Sequence, residues 1–153
     1  SDNLSADGNQ FLGGLKQLAN PAVFSMVAIY KPVTSGVDVV ISKFLSFSSG
    51  TNILIRKELA LPCGTDMSTE LGLSHNKKLD GATSKARMYI HTDAGVPGSL
   101  ISGDIPATSL ALTERYFDES PIIVPPGYAL YVLPELVNVT ITLNLEWSEE
   151  AIL

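Results

Sequence analysis

The sequence predicts an all-β protein: an antiparallel β-sandwich or jelly roll of about eight strands, preceded by an extended N-terminal arm with a short helix. Three observations carry that reading. Short runs rich in β-branched and aromatic residues recur along the chain, bounded by Ser, Gly and Pro. Near the end, Val137, Val139, Ile141, Leu143, Leu145 and Trp147 alternate strictly with Asn138, Thr140, Thr142, Asn144 and Glu146. Period two makes a strand with one dry and one polar face, which a helix cannot reproduce. No long helical period follows residue 22. The organisation is therefore an arm over residues 1–22 and one sandwich domain over residues 23–150.

Residues 1–10 are small and polar, and Asp7-Gly8-Asn9 signals a turn. Phe11, Leu12, Leu15 and Leu18 then fall on one face of a short helix, closed by Asn20-Pro21. Gly13 and Gly14 weaken that helix by roughly 1 kcal/mol each, and so short a helix does not persist alone. The arm is expected to dock on its own domain or on a neighbour. Phe11, Leu12, Leu15 and Leu18 are its candidate assembly residues, each contributing roughly 1.5–3 kcal/mol if fully buried.

Strands follow in order. Residues 23–30 form an apolar run ended by Lys31-Pro32, residues 37–47 are rich in β-branched side chains, and residues 51–58 place Ile53 and Ile55 on one face. Residues 64–84 read as an extended polar loop with one helical turn near 68–71. Ala86, Met88 and Ile90 alternate with Arg87, Tyr89 and His91, a half-buried strand ended by the turn 93–98. A shorter strand is expected over 109–117. Residues 122–124 lead into Pro125-Pro126-Gly127, whose prolines hold φ while the glycine accepts a positive one. Residues 128–133 return, and residues 137–147 complete the set.

Composition narrows the function. The 153 residues are 45% hydrophobic and only 17% charged, against roughly 25% charged in ordinary soluble domains. So apolar a chain is expected to cover part of its surface with subunit contacts. The net charge of −6 argues against a nucleic-acid binder, which needs clustered Lys and Arg. No apolar run approaches the ~20 residues of a membrane-spanning helix, and no membrane partner is expected. The opening Ser1-Asp2-Asn3-Leu4-Ser5 lacks the basic and apolar regions of a secretory signal. Cys63 is the single cysteine, so no intrachain disulfide or thiolate cage is expected, and synthesis in a reducing cytoplasm is.

The search for chemistry returns little. There is no nucleophile elbow, P-loop or dinucleotide-binding glycine pattern. Cys63, between Pro62 and Gly64, has His75 and His91 as conceivable partners, but a cysteine beside proline reads first as structural. His91 and Asp93 share a strand face and begin a metal site without completing one. Glu114, Asp118, Glu119 and Glu135 are carboxylates of the last third without a readable pairing. No cofactor, no metal and no enzymatic activity are expected.

Two family comparisons use these residues. Pro125-Pro126-Gly127 resembles the turn of the second cupin motif. Leu130 stands where that family has its metal-binding His, Pro134 where it has Asn, and Glu119 where it has the leading Gly. The similarity stops at the turn, and a cupin oxygenase or isomerase is rejected. From residue 22 to residue 149 the chain instead resembles the small single jelly-roll proteins of tailed-bacteriophage virions. Lys31-Pro32-Val33-Thr34-Ser35-Gly36-Val37, the 122–132 hairpin and the closing strand 138–147 carry that resemblance. It implies a non-enzymatic virion structural protein, assembled in the host cytoplasm, that decorates and cements a capsid. It also implies a homo-oligomer, a trimer, that contacts the major capsid protein or another virion protein. The alternative implied is a tail-fibre or receptor-binding subunit of a phage tail.

Overall fold

A computed structural model describes residues 8–48, 51–68, 76–105, 113–116 and 121–151. Those residues build an all-β fold of two antiparallel sheets packed face to face. The strands are β1 (Gln10–Gln17), β2 (Phe24–Tyr30), β3 (Val37–Ser48), β4 (Ile53–Glu58), β5 (Thr65–Asp66) and β6 (Arg87–Asp93). They continue as β7 (Ser99–Ile105), β8 (Thr113–Tyr116), β9 (Ile122–Val124), β10 (Ala129–Pro134) and β11 (Ile141–Ala151). The first sheet runs β1-β11-β3-β8, with β9 also on β3. The second runs β5-β6-β2-β10-β4-β7. The sandwich expected from the sequence is present.

The first sheet is organised by β11. Ile141, Leu143, Leu145 and Trp147 are fully buried along one face, while Asn144 on the other is exposed. The strand starts at Ile141 rather than at residue 137. Asn138 has φ of 58°, and that left-handed residue ends any extended run before it. On the partner strand, pairing shifts between Glu146↔Lys43 and Trp147↔Ile41, leaving Ser42 as a bulge. The extra residue changes which parity faces inward. Val39 and Ile41 are buried before it, and Phe44, Ser46 and Ser48 after it.

Residues 10–17, read above as a short helix, are a strand instead. β1 pairs with β11 along its whole length, from Gln10↔Ser148 to Gln17↔Ile141. Two causes favour this outcome. Gly13 and Gly14 oppose a helix, and a side chain at either would have to displace a neighbour. A Cβ on Gly13 would lie 2.7 Å from the Met88 sulfur and 3.2 Å from the Trp147 ring. Phe11, Gly13 and Leu15 also alternate toward the core, a period-two pattern hidden beneath the helical one. Phe11 lies directly opposite Trp147, with ring centroids 6.1 Å apart and planes at 15°; such pairs add roughly 0.5–1.5 kcal/mol to their burial.

The second sheet is buried on both faces. Val27, Ile29, Ile53, Ile55, Met88, Leu130 and Val132 point into the sandwich core. Met26, Ala28, Tyr30, Tyr89, Ala129, Tyr131 and Leu133 form a second apolar cluster behind it. This explains why residues 23–30 are apolar without alternation. Two further strands lie in stretches read as loops: β5 pairs with β6, and β7 with β4. Of the expected 109–117 strand, Thr113–Tyr116 is β8 and the remainder lies outside the described residues. So does most of the expected helical turn at 68–71. The 125–128 turn forms as expected, with Tyr128 N–H donating to Pro125 O at 3.1 Å and Gly127 at φ 86°, the type II geometry.

Two predictions come from the core. Leu143→Asp places a carboxylate on the fully buried face of β11, and a chain without cooperative unfolding is expected by circular dichroism. Lys31 is fully buried, and its Nζ has no hydrogen-bond partner among the described residues. Burial, opposed by the charges of Glu149 and Asp38 and aided by that of Lys85, holds its ammonium below the ordinary lysine pKa of 10.5. The folded state therefore disfavours the charged form, and this penalty is full below the lowered pKa and fades as pH rises from there toward 10.5. Lys31→Met is expected to raise stability by about 1 kcal/mol at pH 7, with the gain shrinking on thermal melts taken at higher pH.

Candidate functional site

The four candidate assembly residues separate. Phe11 is buried against Trp147, and Leu15 packs against the same core. Leu12 and Leu18 are 51% and 61% exposed. Half of the expected assembly face thus folds onto the chain's own sheet, and Leu12 and Leu18 remain on the surface. Beside Leu12 the outer face of the first sheet is charged: Lys77 and Lys43 both pair with Glu146, the latter at 3.7 Å.

Other apolar side chains remain exposed at one end of the sandwich. Val33, from the β2–β3 connection, and Leu59, following β4, are 69% and 66% exposed. They flank Gly127, where a Cβ would lie 3.5 Å from the one and 3.3 Å from the other. Along the edges, Leu100 and Ile101 of β7 and Ile123 of β9 are also exposed. A cleft of about 250 Å³ opens there, lined by Ile101, Ile122, Ile123, Tyr128 and Leu130 with Lys57 as its cation.

A second cleft of about 250 Å³ lies on the outer face of the second sheet. Its floor is Met26 and Tyr131. Two connections cross that face because the strands they join lie far apart in the sheet. Residues 59–64 lead from β4 to β5, and residues 94–98 lead from β6 to β7. Arg56 fastens the second crossing, its Nε donating to Pro97 O at 2.5 Å and its guanidinium to Gly98 O. Leu61 and Cys63 from the first crossing and Val96 and Pro97 from the second form the walls.

Within this cleft the structure gathers residues distant in sequence. His91 Nε2 lies 3.3 Å from Asp93 Oδ2, and both line the space with Cys63 and Glu58. The Gly95 N–H donates to Asp93 Oδ1 at 3.0 Å. That bond first, and then the His91 ring, hold the Asp93 carboxyl below the usual carboxylate range. Gly64 has φ of 106°, and a Cβ there would lie 2.8 Å from His91 Cβ and collide with Ile90 O. Only glycine permits the chain beside Cys63 to lie so close to β6. Tyr131 is 3% exposed. Burial, then the charges of Glu58 and Cys63, push its phenol up to about 12, so it stays a hydrogen-bond donor at neutral pH.

Cys63 and His91, conceivable partners in the sequence, thus meet in one cleft, whereas His75 lies outside the described residues. Among the described residues no group of three His, Cys, Asp or Glu is placed to hold a metal ion. Glu135 takes a 3.5 Å contact from the Thr51 hydroxyl at the β10–β11 connection. Glu114 is on β8, and Asp118 and Glu119 lie outside the described residues. Sequence reasoning missed Glu58 and Tyr131 because each reads as an ordinary strand residue. No protein-family model, curated protein or solved structure matches the chain.

Phe11→Ala is expected to destabilise the protein by about 3 kcal/mol. Amide exchange within Gln10–Gln17 should accelerate before that of β2 or β10, since Phe11 pins β1 to Trp147.

Proposed function

We propose that the chain is a non-enzymatic structural subunit of a bacteriophage virion, a homotrimer that decorates and cements the capsid. The observation that supports this best is the apolar surface at the Val33–Leu59 end and along the β7 and β9 edges. An isolated subunit leaves these side chains in water, whereas association with sister copies and with a shell protein removes them from it. Leu12 on β1 and Leu18 just after it add further exposed apolar surface. Cyclic symmetry repeats each such contact and turns weak patches into stable attachment.

The resemblance to phage virion proteins agrees with this reading. Its three phrases fall on the β2–β3 connection, the β9–β10 hairpin and β11, so they belong to one packed body. The net charge of −6 suits a subunit on the outside of a DNA-filled shell, where attraction to phosphate is of no use.

Light scattering on the purified protein is the test, with the mass of three chains expected. A paired Val33→Asp, Leu59→Asp variant should give the mass of one chain with an unchanged circular-dichroism spectrum, because both side chains are exposed on the single subunit. A single-chain mass for the unaltered protein at every concentration would overturn the trimer.

A further inference from the structure

We propose that the cleft between the two crossings of the second sheet is a thiol acylation site, in which Cys63 accepts a short acyl group from a thioester or activated ester. The inference stands apart from the virion reading and rests on four groups brought to one space. Cys63 supplies an exposed thiol. His91 lines the same cleft, and its Nε2 faces Asp93. That contact leaves Nδ1 without a partner among the described residues. Asp93 is the positioning residue, itself fixed by the Gly95 N–H. Cys63, His91 and Asp93 are the residue types of a nucleophile, its base and an orienting carboxylate, and they line one cleft.

Tyr131 supplies the independent observation. Its side chain is 3% exposed, lines the cleft, and makes no hydrogen bond among the described residues. Its hydroxyl is not among the sealed polar atoms, which are Lys31 Nζ and Ser46 Oγ. A buried tyrosine that lines the cleft with its hydroxyl unpartnered among the described residues is a donor for an acceptor bound there. A carbonyl oxygen fits that role, and it binds more strongly as negative charge develops on it.

The class of acyl donor follows from the lining. Met26, Leu61, Val96 and Pro97 suit a short apolar acyl chain, and about 250 Å³ limits its length. Glu58 and Asp93 disfavour an acyl group bearing a carboxylate. In the reaction His91 takes the thiol proton, and the sulfur electron pair forms the new bond to the carbonyl carbon. The carbonyl π pair moves to oxygen, where the Tyr131 O–H donates to it. As the intermediate collapses, the bond to the leaving thiol or alcohol breaks, and that group takes the proton from His91. Cys63 ends as a thioester, with no change of oxidation state.

The probe is p-nitrophenyl acetate, followed by nitrophenolate release and by mass mapping of the acetyl group. Acetylation of Cys63 is expected at least about tenfold faster in the unaltered protein than in Tyr131→Phe or His91→Gln. Cys63→Ser should take no acetyl group in the cleft. Tyr131→Phe removes only an unpartnered hydroxyl, and His91→Gln provides a second variant should the first fail to fold. Asp93→Asn should shift the pH profile of acetylation, which a merely structural role would leave in place. Equal rates in all folded variants, or acetyl groups on amines with Cys63 unmodified, would overturn the proposal.

Discussion

The arrangement depends on one constraint: the central strands of the second sheet, β2 and β10, are apolar on both faces and must be covered on both. Of the seven residues of β2 six are buried, and all six of β10 are. The first sheet covers the inner face. Among the described residues no third sheet covers the outer one, and the β4–β5 and β6–β7 connections cross it. Burying Met26, Tyr30, Tyr89 and Leu133 thereby creates walls that an exposed sheet would lack. The cleft carrying Cys63, His91 and Tyr131 is a consequence of covering that face.

The first sheet solves a different problem. Its outer face is polar, so it needs only one dry side, and β11 supplies it with four fully buried side chains. The bulge at Ser42 lets β3 follow that side despite a sequence that does not alternate cleanly. The same adaptation strands Ser46, whose hydroxyl is buried without a partner. Polar ties then fasten the periphery. Glu149 accepts from Trp147 Nε1 at 3.0 Å, from the Lys85 N–H at 2.8 Å and from Ser84. Asn76, buried and bonded to Gly8 O at 2.7 Å and Ala82 O at 3.0 Å, joins the turn before β1 to the segment leading into β6.

The two functional proposals draw on separate parts of this body. The proposed virion assembly would use side chains left over from packing: Val33 and Leu59 at one end, Leu100 and Ile123 at the edges, Leu12 on β1 and Leu18 just after it. The thiol site uses side chains gathered by packing, on the opposite face of the second sheet from the core. A protein can present both, because neither requires the other's residues to move.

Periodicity, turn chemistry and composition were sufficient to read the sandwich, the tight turn at Pro125-Pro126-Gly127 and the dry face of β11 from the sequence. Each of these is local: a side chain's direction alternates with its own backbone, and Pro-Pro-Gly restricts its own dihedrals. What lay beyond reach was decided between distant segments. Phe11, Leu12, Leu15 and Leu18 match a helix in isolation. The strand forms because β11 offers eight pairing partners, and Gly13 lets it pass close to Met88 and Trp147. The start of β11 moved to Ile141 through one left-handed residue, Asn138, which no hydrophobic pattern reports. Cys63 and His91 are 28 positions apart, and they share a cleft because Gly64 allows one crossing to rest on β6. Burial on the outer face of the second sheet drives that meeting, and burial is a property of the folded whole rather than of any segment.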